Sequence, residues 1–118
     1  SNARRNMRDI NINTPKLRAN AFSEHQEIVE LAKSNSTRLL NTCRSFFPTF
    51  FDELKKINQD LKKSELIFCI YLKLGFSSKE VAIYTFVTPK AIQNRKNRLR
   101  KKLNIASDID IYKWFDDL

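Results

Sequence analysis

The chain has 118 residues, of which 42% are hydrophobic, and a formal charge of +9. Its length suits one compact module and is too short for a large enzyme core. One glycine and three prolines supply few of the tight turns that all-β folds need, so we expect an all-α protein. The cationic surplus favours a polyanionic partner, with nucleic acid ahead of an anionic membrane or an acidic protein.

The side chains that metal sites and catalysis require are scarce. Cys43 and Cys69 lack CxxC spacing, and His25 is the single histidine. The sequence also contains neither a Gly-rich phosphate loop nor a nucleophile motif. We therefore expect no metal, no other cofactor and no enzymatic activity, with both cysteines reduced in the core and His25 at the surface.

Residues 1–22 are predicted to be a tag scar followed by a flexible arm. Ser1, Asn2 and Ala3 are typical of a cleaved expression tag, and residues 4–21 mix charged and polar side chains without a helical period. Because Arg4 is not Met, we expect this sequence to be the carboxy-terminal part of a longer protein. The upstream part of that protein is expected to contain a sensor, repeat or membrane-anchored region. The basic run around Met7 is either the flank of a membrane span or a short basic arm. The expected location is the cytoplasm, either as a free protein or as the cytoplasmic part of a membrane-anchored one.

Residues 23–60 are predicted to form a helical hairpin. Ser23 and Gln26 make a capping-box signal for an amphipathic helix that ends near residue 47 and is weakened at residues 34–37. Pro48 cannot lie inside that helix, but it is typical of the first turn of the next one.

Four phenylalanines between residues 46 and 51 allow two interpretations. The first places them in the core, where they would pack the hairpin against the carboxy-terminal part of the chain. The second makes them a dimerisation face.

Residues 61–118 are predicted to contain four short helices. Local signals mark their ends in chain order: Gly75 in a left-handed cap after the first, a capping box of Ser77 and Glu80, Thr88 and Pro89 at the start of the third, and Ser107 with Asp110 before the last.

The third of these helices, residues 89–103, carries seven Lys or Arg and no acidic residue. At 100° per residue, its apolar side chains share one arc, and the opposite face carries Lys90, Asn94, Asn97 and Lys101, flanked by Gln93 and Arg98. Cations suit phosphates, and amides can pair with the edge of adenine. The pattern favours a helix in the DNA major groove, with RNA, an acidic protein or an idle solvated surface as alternatives.

The run LKKSELIFCIYLKLGFSSKEVAIYTFVTPKAIQNRKNRLRKKL resembles the LuxR/GerE-type helix-turn-helix domain. The similarity covers about residues 61–118. The matching residues fall in three spaced blocks: Leu61 and Glu65, then Gly75, Ser77, Lys79, Glu80, Val81 and Ala82, then Val87, Thr88, Ile92, Lys102 and Leu103.

The resemblance implies a four-helix domain in which the second helix is a scaffold, the third reads DNA and the fourth often contributes dimer contacts. By matching position, base contacts are expected from Gln93, Asn94 and Asn97. Backbone contacts are expected from Lys79, Thr88, Lys90, Arg98 and Lys101, and Glu65 is expected to brace the domain. Three positions depart from the family pattern: Lys62 replaces a Thr cap, Thr85 a common Leu and Arg95 a frequent His.

These observations together predict a sequence-specific transcriptional regulator that binds double-stranded DNA as a homodimer. A different class stays open as an alternative, in which a degenerate helix-turn-helix serves as a protein–protein interaction module.

Overall fold

The structure is a computed structural model that describes residues 15–118, with side chains from residue 21 onward. Every regular element in this range is an α-helix, which confirms the all-α prediction. The helices are α1 (Pro15–Lys33), α2 (Leu39–Phe46), α3 (Pro48–Ile57), α4 (Lys63–Lys73), α5 (Ser78–Thr85), α6 (Pro89–Leu103) and α7 (Ile111–Asp116). Of the predicted flexible arm, residues 1–14 lie outside the described residues.

The predicted helix from Ser23 to residue 47 is wrong in its bounds. It begins earlier, at Pro15, so Ser23 lies inside α1 and the second part of the predicted arm is helical. It also breaks after Lys33, where Asn35 has a φ of 52° and the N–H of Ser36 donates to the carbonyl of Leu31 at 3.0 Å. That left-handed closure ends α1, so the predicted hairpin of two helices contains three.

The phenylalanine cluster belongs to the core, as the first interpretation holds. Phe47 and Phe50 are fully buried, while Phe46 and Phe51 are half-buried against the same core. The Phe50 ring lies 6.4 Å from that of Phe115, between centroids. This contact joins α3 to α7 and leaves Phe50 no surface for a second molecule.

Most of the predicted ends of the later helices are confirmed. Gly75 has a φ of 83° after α4, and the reciprocal bonds of Ser77 and Glu80 open α5. The prediction for the last helix is wrong in one residue, since Ser107 does not cap it. Asp110 does, because its Oδ1 accepts from the N–H of Tyr112 at 2.9 Å.

One hydrophobic core spans the boundary predicted at residue 60 and includes side chains from Ile28 to Phe115. The hydroxyl of Tyr71 in α4 donates to the carbonyl of Ala32 in α1 at 2.5 Å, and burial raises the pKa of Tyr71 to about 12. Cys43 and Cys69 are free and buried within this core, as predicted. Within residues 15–118, no helix has the length and apolarity needed to cross a membrane.

Candidate nucleic-acid interface

The start of α6 is fixed by its own first residues. The Oγ1 of Thr88 accepts from the N–H of Ala91 at 3.1 Å, and Pro89 occupies the first helical turn. Phe86 precedes them in the left-handed conformation, with a φ of 59°, at the end of α5. This tight connection fixes where α6 begins.

The inner face of α6 is apolar with one exception. Ile92, Leu99 and Leu103 are fully buried, as predicted, and they anchor the helix to the core. Lys96 shares this face and is only 8% exposed, with its Nζ 4.5 Å from the centre of the Tyr112 ring. This role of Lys96 was not predicted from the sequence, although its spacing four residues after Ile92 indicates the same face.

The outer face of α6 presents the predicted reading residues to solvent. A single row joins Lys90, Asn94, Asn97 and Lys101, all exposed, because residues three and four apart lie above one another on a helix. Gln93 and Arg98 are also exposed and lie on opposite flanks of this row. The remaining two predicted contacts, Lys79 and Thr88, are exposed at the starts of α5 and α6.

Three of the seven cations in α6 are occupied within the protein. Lys96 lies against Tyr112, and the Nζ of Lys102 pairs with Glu65 Oε2 at 2.5 Å. The guanidinium of Arg100 donates to the carbonyls of Ala106 at 2.9 Å and Ile109 at 2.7 Å, which holds the loop after α6 in place. These three side chains stabilise the fold.

The other four cations of α6, Lys90, Arg95, Arg98 and Lys101, are exposed. None of them has an acidic partner within residues 21–118. Like charges three or four residues apart on one helix repel each other unless a counter-charge is supplied. The exposed surface of α6 therefore carries positive charge that the described part of the protein does not neutralise.

Glu65 braces the domain as expected. Its carboxylate accepts the backbone N–H of Lys62 at 2.8 Å and also pairs with Lys102, which ties the start of α4 to the end of α6. Burial alone would raise the pKa of Glu65, but the Lys102 hydrogen bond and the Lys62 backbone outweigh it and lower that pKa. The departure at Lys62 costs the helix only a side-chain cap, because Glu65 still caps the Lys62 N–H.

Within residues 21–118, no group of three or more His, Cys, Asp or Glu side chains is arranged to hold a metal ion. The candidate site is the exposed surface of α6, with three amides and four cations that have no acidic partner within residues 21–118. Comparisons of the chain with protein-family models, curated proteins and solved structures found no match.

Proposed function

We propose that the chain is a sequence-specific DNA-binding transcriptional regulator acting in the cytoplasm, in which α6 enters the major groove and α5 supports it. The observation that carries this proposal is the outward row of Lys90, Asn94, Asn97 and Lys101, which has no acidic partner within the described residues. The likeness of residues 61–118 to LuxR/GerE-type domains supports the same assignment of α4 to α7.

The dimensions of the row suit duplex DNA. Lys90 and Lys101 are eleven residues apart, which corresponds to about 16 Å along a helix axis. This length matches about five base-pair steps of about 3.4 Å each. A helix with its side chains is also about as wide as the major groove, so the middle of its outward face would meet base edges, and side chains at its ends and sides would meet the backbones.

This geometry divides the residues by task. Gln93, Asn94 and Asn97 offer amides that can donate to and accept from one base, and we assign them to base contacts. Charged and hydroxyl side chains bind phosphate without sequence preference. Backbone contacts are accordingly assigned to Lys79, Thr88, Lys90, Arg98 and Lys101.

We further propose that the regulator acts as a homodimer. Two copies would place their α6 helices in half-sites about one duplex turn, or about 34 Å, apart. The exposed Ile109 and half-buried Trp114 give the α7 region apolar surface for such a contact.

Selection of bound sequences from random duplex DNA tests the proposal directly. We expect enrichment of one half-site repeated with two-fold symmetry. Enrichment of a single unpaired half-site would contradict the homodimer, and no enrichment at all would contradict sequence-specific DNA binding.

Two substitutions separate reading from anchoring. Asn97→Ala should relax the preference at one base pair by about 1 to 3 kcal/mol. Lys101→Ala should weaken binding to every sequence and lower the slope of log affinity against log salt by about 0.9. An unchanged base preference would take Asn97 off the list of readers, and an unchanged salt slope would take Lys101 off the list of phosphate contacts.

The second candidate function, a protein-interaction module, is favoured by two exposed apolar side chains next to α6. Ile83 is 69% exposed and Phe86 is 86% exposed, and they lie three residues apart. Titration of labelled duplex at low and moderate salt distinguishes the two functions, because an interaction module should bind DNA weakly and without sequence preference.

A further inference from the structure

A groove of about 380 Å³ lies between the start of α4 and the carboxy-terminal half of α6. Phe68 and Leu99 provide its apolar lining. Its polar lining consists of Lys62, Ser64, Glu65, Arg95, Arg98 and Lys102. Four of these six side chains are cationic and one is anionic.

The single carboxylate in the groove is already paired. Glu65 accepts from the Lys62 backbone and forms an ion pair with Lys102, so these two charges compensate each other. Lys62, Arg95 and Arg98 remain exposed, and no acidic side chain within residues 21–118 pairs with them. The groove therefore has an excess of three positive charges at its rim.

The groove lies beside the reading row. At 100° per residue, Arg95 is turned about 130° from the centre of the row formed by Lys90, Asn94, Asn97 and Lys101, towards α4. A side chain in this direction cannot reach the base edges that face the centre of the row. It would instead meet the sugar-phosphate backbone that borders the major groove.

We propose that this groove is a backbone-phosphate site of duplex DNA, in which Arg95 and Lys62 contact one strand together with Arg98. The inference rests on the proposed function, and it adds Lys62, Ser64 and Arg95 to the contacts. The guanidinium of Arg95 has the fork of donors that binds two phosphate oxygens, whereas Lys62 acts as a point charge. The Ser64 hydroxyl can donate a further hydrogen bond.

The test measures duplex affinity against salt concentration for Arg95→Ala, Lys62→Ala and the double variant. Each single variant should lose about 0.9 of the salt slope, and the double variant about 1.8. Between 50 and 200 mM salt, each lost contact should therefore shrink the fall in affinity by about 3.5-fold. The loss should be the same on a selected site and on random duplex, because phosphate contacts carry no sequence information.

Lys63→Ala is the matched control. Lys63 is the first residue of α4 and is exposed, but it does not line the groove, so its removal takes away one neighbouring charge without the contact. Its salt slope should stay near that of the wild-type chain. Arg95→Lys should keep the slope and lose part of the affinity, because the charge remains and the fork does not.

The outcomes separate the groove from the proposed function. If Lys101→Ala lowers the slope while Arg95→Ala and Lys62→Ala leave it unchanged, the groove does not contact the DNA backbone and DNA binding stands. If the wild-type chain binds duplex only weakly and without sequence preference, the proposed function itself fails.

One more arm distinguishes the source of the phosphate. Thermal unfolding of the wild-type chain and of Arg95→Ala is compared in inorganic phosphate and in chloride of equal ionic strength. Stabilisation of the wild-type chain alone, with unchanged DNA salt slopes, would assign the groove to a free anion and overturn the DNA proposal. The DNA proposal would be supported if phosphate changes the thermal unfolding of both proteins equally and the DNA salt slopes of Arg95→Ala and Lys62→Ala are reduced.

Discussion

Phe50→Ala tests whether the helices before residue 60 and those after it unfold together. The Phe50 side chain is 1% exposed, and its ring lies 5.2 Å from that of Phe51 and 6.4 Å from that of Phe115. Truncation of a buried Phe to Ala lowers the free energy of unfolding by about 3 to 5 kcal/mol. Since a domain of this size is stable by about 5 to 15 kcal/mol in total, the variant should lose a large part of that stability.

Urea unfolding followed by two signals measures the effect. Trp114, the single tryptophan, lies in α7 with its ring 5.0 Å from that of Phe115, so its fluorescence reports on the carboxy-terminal helices. Circular dichroism at 222 nm reports on all helices. Both curves should move to a lower urea midpoint together and with an unchanged slope.

Phe22→Ala is the control for the same change of side chain at an exposed site. Phe22 is 69% exposed, so its truncation should change the free energy of unfolding by no more than about 0.5 kcal/mol. A fluorescence transition that stays in place while the circular dichroism transition moves would contradict this prediction. It would show that α1 to α3 unfold independently of α4 to α7.

Three further substitutions test local features. Glu65→Gln should lower the free energy of unfolding by up to about 1 kcal/mol. The folded pKa of Glu65 lies below the ordinary value of about 4.3. The loss of unfolding free energy in the Gln variant should therefore be full above that value and vanish as the pH falls through the folded pKa. Urea unfolding between pH 2 and 8 measures this dependence. Phe86→Gly should raise the free energy of unfolding by about 1 kcal/mol, measured by thermal unfolding, because a bulky residue is strained at a φ of 59°. A lower melting temperature for this variant would show instead that the exposed ring packs on the fold. Tyr112→Phe should raise the free energy of unfolding by about 1 kcal/mol, since the Tyr112 hydroxyl is buried with no hydrogen-bond partner within the described residues, while the ring still contacts Lys96. A lower free energy of unfolding for Tyr112→Phe would mean that the Tyr112 hydroxyl is hydrogen-bonded.

The sequence predicted the helix ends that depend on close neighbours. Ser77 and Glu80, Thr88 before Pro89, Gly75 and Pro48 each mark a boundary that the structure confirms. A capping bond joins residues two or three positions apart, so the sequence alone contains both partners.

A capping signal of the same kind gave a wrong prediction at Ser23. A Ser with a Gln three residues later also occurs inside helices, and here α1 continues through it from Pro15. The apolar spacing likewise predicted one helix across residues 34–38, where the helix ends at the left-handed Asn35. Next to this break, the hydroxyl of Tyr71 donates a hydrogen bond to the carbonyl of Ala32. Tyr71 is distant in sequence, so this contact leaves no local signal.

For the candidate site, the face of α6 that carries the amides follows from the sequence, because a helix turns by a fixed 100° per residue and three apolar side chains, buried in the structure, set its phase. The sequence does not show which of the seven cations of that helix have partners within the protein. That distinction depends on tertiary contacts, because the partners of Lys96, Arg100 and Lys102 are Tyr112, the loop carbonyls after α6 and Glu65, which the fold brings close to them. The four cations of α6 that have no acidic partner within the described residues are the ones that the proposed phosphate contacts use.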